Sequence, residues 1–125
     1  MASNRGEMSF AAVLKEVVEK VDGAASAMII SADGMVVEEY AALKLLNLED
    51  LGAESSAMIR DINLAAQNLG LGNADEFSII SDRCGIVMRR ITPEYYLALV
   101  IHPEGNYGKG RYVLKTTVPR ISGEF

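Results

Sequence analysis

The sequence has no tryptophan, one cysteine, one histidine and three prolines among its 125 residues. A single thiol, Cys84, cannot close an internal disulfide. With His102 as the only imidazole it cannot build a zinc site either. That usage fits a reducing compartment. Long apolar runs are also missing. The longest, Tyr95 to Ile101, is far short of the roughly 20 residues that a membrane-spanning helix needs. Basic residues are outnumbered 12 to 17, for a net charge of −5. Nucleic-acid affinity comes largely from Lys and Arg meeting phosphates, so an acidic chain is a poor candidate. Met1 to Glu7 is small and polar and lacks the charged-then-apolar pattern of a secretory leader. The expectation is a cytoplasmic protein with no nucleic-acid partner and no membrane span.

Catalytic patterns are equally scarce. The Gly-x-x-x-x-Gly-Lys-Ser/Thr phosphate loop does not occur. Gly105, Gly108, Lys109 and Gly110 precede a helix, but their spacing fits no nucleotide motif and reads as a helix-start turn. Carboxylates are scattered as Glu38-Glu39, Glu49-Asp50 and Asp75-Glu76, without the spacing of a metal loop. No Ser or Cys nucleophile has a motif around His102. Cys84, beside a hairpin turn, reads as a bystander thiol. No cofactor, no metal and no enzymatic activity are expected. Protein binding is the class that remains.

What is present is a core and a regular alternation of elements. Half of the residues are apolar, enough to fill one domain of this length but not two. Residues 1–8 read as a tail, 9–118 as the domain and 119–125 as a C-terminal tail. Ser9 is a plausible N-cap, with Met8 and Val13 as its hydrophobic staple. Phe10, Val13, Leu14, Val17, Val18 and Val21 then recur at helical spacing. Ala25 to Ser31 and Met35 to Tyr40 flank Asp33-Gly34 and predict a hairpin. Asn47 caps a long helix that runs to about Leu69, before Gly70 and Gly72. Glu76 to Ser81, Gly85 to Ile91 and Tyr95 to Ile101 predict a three-stranded meander. The last is apolar throughout, as a central strand covered on both faces would be. Asn106 caps a final helix that Pro119 is expected to end. The fold class is therefore α/β in content (α+β), with five mostly antiparallel strands and three helices.

Two surfaces stand out. On the long helix, 100° spacing puts Leu51, Ser55, Met58, Ile59, Ile62, Ala65, Ala66 and Leu69 on the face expected to pack on the sheet. Ala53, Ser56, Ala57, Arg60, Leu64 and Gln67 fall opposite. Small residues admit a neighbouring backbone, and Arg is enriched at interface hot spots. The second surface is Glu76 to Ser81, an expected edge strand with Phe77, Ile79 and Ile80 at its centre. An apolar edge invites aggregation unless it is paired, and two-fold strand addition between identical chains solves this economically. Arg89-Arg90 lies in a strand, so the two side chains point to opposite faces.

Taken in order, these segments resemble the Roadblock (dynein light-chain) family, and within it the bacterial MglB-like proteins. Phe10-Ala11-Ala12-Val13-Leu14 is similar to the family's first helix. Gly23 to Ser31 followed by Ala32 to Glu38 is similar to its first hairpin. Leu51 to Ala57 resembles the start of its central helix, and Pro93 to Ile101 its last strand. Gly105 to Tyr112 resembles the Asn-x-Gly-x-x-Arg start of its final helix. The likeness spans about residues 9 to 118. It implies a Roadblock/profilin-like sandwich, with the long helix on one face and the two terminal helices on the other. It implies a homodimer with joined edge strands and the long helices side by side. It also implies that this helix pair binds a small Ras-like GTPase and accelerates hydrolysis without an arginine finger. On that reading Ala53, Ser56, Ala57, Arg60, Leu64 and Gln67 form the GTPase contact, and Phe77, Ile79 and Ile80 the dimer joint. A dimeric scaffold with no effect on hydrolysis and a small-molecule sensor are the alternatives.

Overall fold

A computed structural model describes residues 9–125. The Met8 half of the first staple lies outside them. The chain forms α1 (Phe10–Lys20), β1 (Ala24–Ser31), β2 (Val36–Ala41), α2 (Leu48–Asn68), β3 (Glu76–Ile80), β4 (Gly85–Thr92), β5 (Tyr95–Ile101) and α3 (Tyr107–Ile121). The strands make one sheet in the order β2-β1-β5-β4-β3, with every neighbouring pair antiparallel. β5 is the central strand, as its apolar run predicts, and β2 and β3 are the edges.

Local chemistry sets the helix starts. The Ser9 hydroxyl accepts from the Ala12 N–H, the Asn47 carbonyl oxygen from Asp50 and the Asn106 carbonyl oxygen from Lys109, at 2.9 to 3.1 Å. Strand alternation then sorts the core into two layers. Ala27, Ile29, Val87, Leu97, Leu99 and Ile101 turn toward α1 and α3. Met28, Ile30, Met88, Tyr96, Ala98 and Val100 turn toward α2. The long helix and the two terminal helices therefore take opposite faces, as expected.

Pro119 does not end the last helix, and 119–125, expected as a C-terminal tail, packs as part of the domain. α3 continues through the proline to Ile121 and passes into a 3-10 turn, Ser122–Glu124. A proline within a helix forfeits one backbone hydrogen bond. Burial offsets that loss: Ile121 is 2% exposed. The Phe125 ring lies 5.0 Å from Phe10 and 4.7 Å from Tyr95, centroid to centroid. Across the two helices, Arg120 donates to both carboxylate oxygens of Glu16, at 2.8 and 3.2 Å.

α2 is seated by a glycine pair. A Cβ at Gly52 would stand 2.9 Å from the Gly34 carbonyl oxygen, and one at Gly34 would stand 2.9 Å from that of Gly52. Gly34 has φ +93°, which the β1–β2 turn requires. The helix start thus rests backbone on backbone against the hairpin turn. By Asn63 the helix has reached Tyr96 on β5, and the two side chains are hydrogen-bonded at 3.0 Å.

Candidate protein-binding site

α2 presents an outer crest and two unlike flanks. Buried residues run along Leu48, Leu51, Gly52, Ser55, Ile59 and Ala66. That arc is narrower than periodicity suggests. Leu69, expected in the core, is 73% exposed, and Ala65 is exposed as well. Met58 and Ile62 are only half-buried. A helix on a sheet is covered over a limited arc, and at 100° per residue Met58, Ile62, Ala65 and Leu69 fall on one side of it. They form an apolar flank, although periodicity alone assigns them to the core.

The expected contact residues divide between crest and opposite flank. Ala53, Arg60, Leu64 and Gln67 are exposed, and Leu64 stands out at 56%. Ser56 and Ala57 are half-buried. Ser56 and Arg60 line one cavity with Ala32, Asp33, Ile59, Asn63 and Pro93. Gln67 lines an adjoining one with Asn63, Asn73, Arg90, Pro93 and Tyr96. The set is thus not a single face. Part of it is the crest, and part is one wall of a polar groove. The other wall exists because the Ala32 N–H donates to the Glu94 carbonyl at 2.8 Å, which brings the β1–β2 and β4–β5 turns together.

β3 is an edge strand, as expected, but its apolar residues do not act as one patch. Phe77 and Ile79 oppose Met88 and Ile86 and share the α2 face. Phe77 is half-buried and Ile79 is 41% exposed. Ile80, 63% exposed, alternates to the α3 face. Glu76, on that same face, does not blunt the edge. It receives Arg89 at 3.2 Å and Arg111 of α3 at 2.6 Å, so its charge is spent inside the protomer. Arg89 and Arg90 point to opposite faces as expected, since Arg90 instead donates to Asp75 at 2.6 Å.

The remaining candidates are structural. Asn106 caps α3, and its N–H donates to the Asp22 carbonyl, so the Gly105 to Gly110 segment is a helix-start turn. Cys84 is buried under the α2 face. Among the described residues no group of three or more His, Cys, Asp or Glu is placed to hold a metal ion. No helix among them is long and apolar enough to cross a membrane.

Neither a family model nor a curated protein matches the chain. Solved structures do. A Roadblock/LC7 domain from Streptomyces avermitilis overlays with a TM-score of 0.82 at 16% identity, covering 94% of this chain and 98% of that one. The gliding protein MglB from Thermus thermophilus overlays at 0.81 with 23% identity, covering 90% and 84%. These two likenesses show the fold. MglC from Myxococcus xanthus is 35% identical over 94% of this chain and all of its own length, with a TM-score of 0.67. The chain belongs to the Roadblock family. As a Roadblock domain it carries the sandwich expected of an MglB-like member.

Proposed function

We propose that this Roadblock domain is a homodimeric regulator of a small Ras-like GTPase, working through paired α2 helices. The observation that carries the reading is unfinished apolar surface on both α2 and the β3 edge. Met58, Ile62, Ala65 and Leu69 are left incompletely covered on α2, Phe77 and Ile79 lie on the sheet face that α2 packs on, and β3 has no neighbour on its outer side. A second copy adding its own β3 would pair those backbone groups and bring apolar side chains of the two copies together. The likeness to MglC and MglB supports the partner class, and an MglB structure with a tetrameric arrangement supports self-association. In such a dimer the two crests, each with Ala53, Arg60 and Leu64, lie side by side as a platform.

On this reading the domain performs no chemical step itself. It orders the GTPase's own residues and supplies no arginine finger. Arg60 is the crest's only arginine, and it makes no hydrogen bond or ion pair among the described residues. The test is single-turnover GTP hydrolysis by a cognate small GTPase with and without the domain. Acceleration that disappears with Leu64→Arg supports the reading. Binding with an unchanged rate would make the domain a scaffold, and no binding to either nucleotide state would end the proposal.

A further inference from the structure

The groove flank of α2 has a chemistry that the crest does not share. Its two adjoining cavities, of about 490 and 210 Å³, meet at Asn63 and Pro93. Asn63 is fully engaged there. Its amide donates to the Ile59 carbonyl and the Tyr96 hydroxyl, both at 3.0 Å, and its carbonyl oxygen accepts from the Ala74 N–H at 3.2 Å. Tyr96 is 2% exposed. Its hydroxyl oxygen accepts from Asn63, but its proton meets no acceptor among the described residues. Arg90 is its cross-strand partner, so both side chains stand on the same face. Arg90 gives one Nη to Asp75, while its Nε is buried with no partner. Two donors without acceptors thus meet at one end of the groove. Leaving such a group unpaired is costly, because it has given up its water without gaining an acceptor.

We propose that this end of the groove receives a carboxylate borne by an extended, acidic segment of a partner protein. Nε and the adjacent Nη of a guanidinium form a fork that accepts both oxygens of one carboxylate. Asp75 occupies only the Nη, and its side chain is 64% exposed, so an incoming carboxylate can displace it and take both sites. The Tyr96 proton supplies a third donor. The walls fit a peptide better than a small molecule. From Ser56 to Gln67 the helix rises about 16 Å, the reach of roughly five extended residues. Gln67 and Asn73 are exposed primary amides, each able to donate to and accept from a peptide backbone. Ser56, Arg60 and Gln67 also belong to the proposed GTPase contact, yet the carboxylate site stands whether or not that partner is a GTPase.

The test is an NMR titration of the full chain, labelled with ¹⁵N, without any GTPase present. The probes are the blocked pentapeptide acetyl-Ser-Val-Glu-Val-Ser-amide, its Gln counterpart and sodium acetate. The Glu peptide should shift the Arg90 Nε–H and the Gln67 and Asn73 side-chain amides saturably, with at least tenfold weaker response to the Gln peptide and to acetate. Arg90→Lys keeps the charge but loses the fork, and should weaken the Glu peptide about tenfold. Asn73→Ala, an exposed position outside the sheet, should weaken it severalfold with the fold intact. Equal response to the Glu and Gln peptides overturns the proposal. So does acetate binding as well as the peptide, or no response at all. If Arg90→Lys loses its dispersed spectrum, an unchanged affinity in Asn73→Ala overturns it instead.

Discussion

On the face of the sheet that carries α1 and α3, the large apolar side chains of the inner strands have a helix over them. Leu14, Leu97, Leu99, Ile101 and Leu114 are all at 0% exposure there. On the α2 face the cover is complete at Met28, Ile30 and Met88, and then gives out. Ile79 and Leu69 stand open, and a polar groove follows the other side of the helix. One long helix cannot cover what two helices cover opposite. The unfinished face is where partners can be received, and the finished one holds the domain together.

That contrast can be broken by mutation. The largest effect is expected on the finished face. Leu114→Ala should cost about 2–5 kcal/mol by the usual cost of an interior cavity, read as a lower denaturation midpoint with unchanged slope. A loss below about 1 kcal/mol would mean that this face is looser than its burial indicates. On the open face, Ile79→Asp and Ile62→Asp should each convert dimers to monomers by light scattering while the circular dichroism stays native. Unfolding rather than dissociation would show that these residues belong to the protomer's own core. Next, Arg60→Ala should change accelerated GTP hydrolysis by less than tenfold. A drop of about 10³ or more would identify Arg60 as an arginine finger.

The smallest effect concerns the Glu16 tie between α1 and α3. The Arg120 hydrogen bonds, and then Lys20, hold the Glu16 carboxyl down from its ordinary 4.5 to about 2. A carboxyl depressed by folding contributes stability above its unfolded value, and that stability is lost as pH falls from about 4.5 through about 2. The side chain is 32% exposed, so solvent screening keeps the contribution under about 1 kcal/mol. Glu16→Gln should therefore lower the melting temperature slightly at pH 7, with the difference shrinking below pH 4.5. A difference that does not change with pH would show that the ion pair is not its source.

Much of the fold was legible. The caps at Ser9, Asn47 and Asn106, the turns at Gly34 and between β4 and β5, and the central place of β5 all follow from residue types at short range. The candidate site was legible only in part. Helical phase places Ala53, Arg60 and Leu64 on an exposed crest, and the order of elements marks β3 as an edge. Phase gives the angle of a side chain about its own axis. It does not say how wide an arc the sheet will cover, so phase assigns Ala65 and Leu69 to a core that never reaches them. Pro119 misled for a related reason. A missing N–H is a local signal, whereas the burial of Ile121 and the stacking of Phe125 on Phe10 are not.

The groove was the least legible feature. Its walls come from α2 and from two turns joined by the Ala32 to Glu94 hydrogen bond, 62 positions apart in sequence. No local pattern announces such a meeting. Capping, turn chemistry and alternation act within a few residues, and they settled which elements form and which strand is central. Which flank of α2 stays open, where the Arg90 Nε is left without a partner and whether the chain packs beyond Pro119 depend on surfaces brought together from distant parts of the chain. Those were decided only when the layers packed.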